Sequence, residues 1–169
     1  MKEKGKVMLS EHFALEEMCK TSARTGDGNI PSRQQIENLK RVCRWLELLR
    51  SHYNAQYEAP SRRRLPPLSR ERGLGGEAPI IINSAFRSPA VNKAVGGSPT
   101  SNHLTGCAAD IRVSGIEQAL RYAVILLDIS DESGEDFDEL LIERNKRGAI
   151  WLHFAVREKG NRRKVRLMG

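Results

Sequence analysis

The apolar residues of this 169-residue chain keep helical spacing in one early segment, lose all spacing across a Pro-, Arg- and Gly-rich tract, and return as short strand-like runs. That succession limits the fold. In the first segment, Ser32 followed by Gln35 forms a capping-box pattern, in which each side chain can satisfy an orphan amide at a helix start. Ile36, Leu39, Cys43 and Leu46 then recur at helical spacing, with Val42 and Leu49 widening the stripe. From Tyr57 to Ala78 the tract includes Arg62-Arg63-Arg64-Leu65-Pro66-Pro67 and Gly73-Leu74-Gly75-Gly76. Proline removes a hydrogen-bond donor and glycine adds chain entropy, so neither helix nor strand is favoured there. The tract reads as an exposed, flexible insertion at 57–78 within a single domain spanning 1–169.

Beyond it, Ile80-Ile81-Ile82, bounded by Pro79 and Asn83, predicts a buried strand. Cys107 to Val113 predicts a second. Ser114 with Glu117 predicts a capped helix through Ile116, Leu120, Ala123 and Leu127. Phe137 to Glu143 and Ile150 to Val156 predict a hairpin around Asn145-Lys146-Arg147-Gly148, and Arg163 to Leu167 a last edge strand. Few helices and sequential strands point to an α+β fold, an antiparallel sheet with flanking helices.

Charge narrows the partners. The net charge is +7. Residues 61–73 carry +4 and residues 157–169 carry +5, so the rest of the chain carries −2. A basic domain surface would suggest nucleic acid; here the excess sits in the insertion and the tail, and no specific nucleic-acid partner is expected. No apolar run reaches the roughly 18 residues that span a bilayer. No apolar stretch of signal-peptide type follows the charged start Met1-Lys2-Glu3-Lys4. Cys19, Cys43 and Cys107 are an odd number without metal-finger spacing and read as reduced core thiols. A monomer is expected.

The densest chemistry lies in Ser101-Asn102-His103-Leu104-Thr105-Gly106-Cys107-Ala108-Ala109-Asp110. A tight turn at Gly106 would fold His103 back toward Asp110 on the following strand, so the two can converge on one ion. Catalytic zinc takes three protein ligands and a water. His153, in Trp151-Leu152-His153-Phe154, is the third candidate. Flanked by large apolar residues, it reads equally well as a half-buried core imidazole.

His103-x-x-Gly106-x-Ala108-x-Asp110 with the later Trp151-x-His153 resembles the zinc D-alanyl-D-alanine carboxypeptidase family. That family also contains D-alanyl-D-alanine dipeptidases and phage L-alanyl-D-glutamate endolysins, and shares its fold with the Hedgehog signalling domain. Leu9-Ser10-Glu11-His12-Phe13, Asn83-Ser84-Ala85-Phe86-Arg87-Ser88-Pro89 and Val95-Gly96-Gly97-Ser98 resemble segments that a divergent branch carries in the same order. The resemblance covers nearly the whole chain outside the 57–78 insertion. It implies a Hedgehog/DD-peptidase-like fold, one zinc ion on His103, Asp110 and His153, a catalytic and substrate-binding role for Arg87, which would hold a substrate carboxylate or stabilise the oxyanion, and a place near the substrate for Ser101.

In one respect the chain departs from the pattern. Three residues before the last histidine, where the dipeptidases and endolysins carry Glu or Asp, stands Ile150, which cannot accept a proton. If the hairpin turns at Lys146-Arg147, Glu143 lies across from Ile150, and the divergent branch carries a Glu at this strand end; Glu143 is the expected general base. Glu139 and Asp138 are weaker candidates on the same strand. His12 and His52 read as structural or surface residues, and Cys107 as a small buried one.

The resemblance implies a zinc metallopeptidase that hydrolyses amide bonds in peptidoglycan stem peptides, either as a DD-carboxypeptidase or as an L-alanyl-D-glutamate endopeptidase. The empty slot at Ile150 leaves a second reading, a non-catalytic zinc-stabilised module that binds cell wall or protein. The compartment itself is not legible in the sequence; the resemblance implies the cell wall as the site of action, reached by phage- or mobile-element-type release or by an unrecognised export route.

Overall fold

A computed structural model describes residues 6–58 and 77–169. Helix α1 spans Leu15–Met18, α2 Arg33–Tyr53, α3 Pro89–Ala94 and α4 Ile116–Ser133. A π-helical turn, Asn54–Glu58, extends α2, and a 3-10 turn covers Asn102–Thr105. The strands are β1 Ile82–Ser84, β2 Ala108–Arg112, β3 Glu139–Arg144, β4 Ile150–Ala155 and β5 Lys164–Met168, in the spatial order β1-β2-β4-β3-β5. The architecture is α+β, as expected. The basic run of residues 61–73, most of the 57–78 insertion and the first five residues lie outside the described residues.

Helix α2 starts where its sequence says. Ser32 Oγ accepts from the Gln35 amide at 3.3 Å, and the Gln35 side chain accepts from the Ser32 amide at 2.7 Å. Leu39, Val42, Cys43, Leu46 and Leu49 are buried against one face of the sheet. Trp45 joins them, its ring 5.3 Å from that of Phe154 and edge-on to Phe137 at 6.4 Å. Strand alternation supplies the other half of this core: Ala109 and Ile111 from β2, Leu140 and Ile142 from β3, Leu152 and Phe154 from β4.

Helix α4 corrects two expectations. Its N-cap is Gly115 with no side-chain cap, and the amide of Ser114 donates instead to Gln118 Oε1 at 2.8 Å, so no Ser114/Glu117 capping box forms. Its buried face is Ala119, Tyr122, Ala123, Ile125, Leu126 and Ile129, whereas Ile116 and Leu120 are about half exposed. Apolar residues occur all round this helix, and packing against α2 and β4 chooses which of them face inward.

The sheet corrects three more. Strand β1 begins at Ile82 and runs through Asn83 and Ser84; Ile81 is exposed, although its carbonyl accepts from the Arg112 amide at 2.8 Å. The hairpin register pairs Glu143 with Trp151 and Arg144 with Ile150, one residue away from the expected pairing of Glu143 with Ile150. The intervening turn has five residues, closed by the Asn145 amide donating to the Ala149 carbonyl at 3.0 Å. Finally, β5 is an edge strand but runs parallel to β3, while every other pair is antiparallel. Strand β4 is already flanked by β2 and β3, and the chain leaving it pairs at the free edge of β3, the nearer of the two sheet edges. Having reversed direction, it arrives there parallel.

The tail's charge is largely matched within the fold. Fully buried Asp138 takes Arg162 Nε and a second Arg162 nitrogen at 2.8 Å each, and Arg157 at 3.1 Å. Arg163 pairs with Asp131 and Asp136, and Lys164 with Glu139. Burial alone would raise the Asp138 carboxyl, but Arg162, Asn102 and Arg157 outweigh it and hold the group below its ordinary range. No helix among the described residues is long and apolar enough to cross a membrane.

Candidate metal centre

The face of the sheet opposite α2 and α4 carries the chemistry. A strand shows alternate residues to one side, so Asp110 of β2, Glu139, Leu141 and Glu143 of β3, and Trp151 and His153 of β4 share this face. His153 sits between Asp110 on one neighbour and Leu141 on the other. Ile150 has the opposite parity and packs against the core. Register therefore decides which carboxylate can serve: paired across from Ile150, Glu143 would have faced the core, and paired across from Trp151 it shares the face of His153.

His103 arrives from the 3-10 turn. Ser101 caps that turn, its Oγ accepting from the His103 amide at 3.3 Å, and Gly106 ends it in the left-handed conformation at φ 72°. Helix α2 clamps it from outside: Gln35 Nε2 donates to the Leu104 carbonyl at 2.9 Å and Asn38 Nδ2 to the Thr105 carbonyl at 2.8 Å. At Gly106 a Cβ would lie 2.6 Å from the backbone oxygen of Gln35, so the position needs glycine both for its φ and for the close approach. Gly106→Ala is expected to destabilise the fold by about 2–4 kcal/mol, read as a lowered denaturant midpoint. An unchanged midpoint would mean that α2 yields freely at this contact.

The three side chains meet. His103 Nε2 lies 3.2 Å and His153 Nδ1 2.9 Å from the same Asp110 Oδ1, with one ligand atom from each residue inside a 4.8 Å span and all three residues buried. The backbone carbonyl of Ala85 can only accept, so the His103 Nδ1 that faces it at 2.5 Å carries the ring proton. Nε2 faces Asp110 Oδ1 directly, so what lies between the two atoms is either a second ring proton or a cation in the proton's place. Burial alone would raise the Asp110 carboxyl, but the two imidazoles hold it far below the carboxylate range. Burial opposes charge on His153, yet hydrogen bonds to Asp110 and Glu139 push it up to about 9. Two imidazoles and one carboxylate are a donor set that zinc accepts while keeping a fourth position for water or substrate.

Around this cluster, Arg87 pairs with the other Asp110 oxygen, and its Nε donates to Ser84 Oγ at 2.8 Å. Glu143 is half-buried and close enough to His153 for its charge to act on the ring. Ser101 borders a cleft of about 400 Å³ shared with Asn38, Asn102, Arg157 and Lys159, on the outer side of the His103 turn. Glu139 lies nearer His153 than its low rank in the sequence suggests, with Oε2 3.5 Å from Nε2. Asp138 points away into its ion pairs. His12 pairs with Glu47 at 2.8 Å, far from the cluster in the chain, and Cys107 is buried beside the turn without joining the three ligand atoms.

Fold and site together define an α+β domain with a buried three-residue cluster that could hold a single divalent cation. The Peptidase M15 family model matches residues 11–126, about two thirds of the chain, and the chain belongs to that family, whose peptidases are zinc-dependent. The match takes in His103 and Asp110 and ends within α4, so His153 and Glu143 come from strands beyond it. No curated protein matches the sequence.

Proposed function

We propose that the chain is a zinc metallopeptidase that hydrolyses an amide bond in peptidoglycan stem peptides, as a DD-carboxypeptidase or an L-alanyl-D-glutamate endopeptidase. The observation that carries this reading is the convergence of His103, Asp110 and His153 in a chain of the M15 family. These three residues would hold the ion, which when bound supplies Lewis acidity toward water and toward the scissile carbonyl.

Around it, Glu143 takes a proton from the attacking water and later delivers it to the leaving amine. Its strand register supports that role, because the carboxylate shares the face of His153 without being one of the three ligand atoms. Arg87 is fixed by Ser84 and Asp110, so its guanidinium is pre-oriented beside the cluster, where it can hold a substrate carboxylate or the developing oxyanion. Ser101 offers its hydroxyl to substrate from the edge of the neighbouring cleft.

Purified zinc-loaded protein incubated with muropeptides is expected to generate new termini, read by mass spectrometry, and to stop doing so when the metal is chelated. Loss of a terminal D-alanine identifies the carboxypeptidase, and a cut after L-alanine the endopeptidase. Ile150 at the usual base position favours the second reading, a zinc-stabilised binding module. In that case every mass stays unchanged while the protein co-sediments with cell walls.

A further inference from the structure

We propose that Glu139 is the positioning residue that fixes His153 with Nδ1 toward the metal. The assignment rests on the zinc-site reading above. The two histidines present opposite nitrogens to the cluster: His103 its Nε2, His153 its Nδ1. Behind His103 the selector is the Ala85 carbonyl, which keeps the proton on Nδ1. Behind His153 the only acceptor at the rear nitrogen, among the described contacts, is Glu139 Oε2, 3.5 Å from Nε2. An acceptor there holds the proton on Nε2 and leaves the Nδ1 lone pair free for the cation, which is how carboxylates behind ligating histidines set tautomer and ring orientation.

Glu139 is built for that task and poorly placed to act as a base. Its side chain is 14% exposed. Oε1 takes Lys164 Nζ at 3.0 Å and an Arg162 nitrogen at 3.0 Å, while Oε2 takes Asn102 Nδ2 at 3.0 Å. With the His153 ring at 3.5 Å this places four donor groups around the carboxylate, which leaves it little capacity to take a proton from water. Asn102 is the chain neighbour of His103, and it also donates to Asp138 at 2.7 Å. The turn that carries one ligand is thereby tied to the group that orients the other, and the edge strand β5 completes the clamp through Lys164.

Zinc affinity measured by chelator competition, together with long-range nitrogen–proton NMR of histidine-labelled, zinc-loaded protein, tests the assignment. The expected spectrum has His153 ligating through Nδ1 with a proton on Nε2. Glu139→Ala is expected to weaken zinc binding about 10- to 100-fold in a protein that still folds, with a lowered melting temperature from the donors it leaves unpaired. Glu139→Gln keeps an acceptor for Nε2–H, while Lys164 and Arg162 can turn to solvent, and should stay within about threefold of the parent. Ligation of zinc through His153 Nε2 overturns the proposal, as does a folded Glu139→Ala protein with parental affinity. If that variant does not fold, the spectrum of the parent decides alone. A parent protein that binds no zinc would instead overturn the metal site itself, and this assignment with it.

Discussion

Replacing His103 with alanine is expected to yield a folded protein that no longer retains zinc and no longer cleaves peptide. In the proposed site the imidazole is one of three donors, and a zinc ion left with Asp110 and His153 alone would have fewer protein ligands than catalytic sites use. The loss is not offset locally. Alanine leaves the Ala85 carbonyl without its donor and Asp110 with one histidine fewer, although Arg87 remains on its second oxygen. Stability should fall by about 1–3 kcal/mol, the cost of an unsatisfied buried polar group, while the sheet and the α2–α4 core are untouched. Elemental analysis of the purified variant, set beside its muropeptide turnover, checks both halves. Stoichiometric zinc in the variant would remove His103 from the site.

Replacing Glu143 with glutamine is the second large effect, and it separates metal binding from proton transfer. Glutamine preserves the shape of the side chain but cannot take a proton. The expected outcome is a fall in kcat of about 10²- to 10⁴-fold with zinc still bound and KM little changed. Near-parental turnover by a zinc-loaded variant would mean that the proton goes elsewhere. Ile150 would not be the substitute, because its side chain has no group that takes a proton, and it faces the core besides.

Whether Glu143 was eligible at all depended on one residue of register. The hairpin sequence Asn145-Lys146-Arg147-Gly148 announces a turn but not its length. The Asn145 side chain accepts from the amides of Arg147 and Ala149, at 2.9 and 3.0 Å, and makes a five-residue connection. Because strand faces alternate residue by residue, that length turns Glu139 and Glu143 toward His153. The same limit explains α4: a helix with apolar residues on every side gives no preferred face until α2 and β4 supply one.

What could be read from the chain alone was local. The α2 cap needs only Ser32 and Gln35, three residues apart. The turn from His103 to Asp110 needs only a glycine at φ 72° between them. The strands after the insertion are marked by their own composition, and the departure at Ile150 is visible in a single residue. Three-dimensional packing decided everything that joins distant segments: the meeting of His153 with Asp110 across β2 and β4, the parallel placement of β5 on the edge of β3, and the four donors around Glu139. Caps, periodicity and left-handed turns are energies between near neighbours, whereas register and edge pairing follow from competition among strands for the same hydrogen-bonding partners.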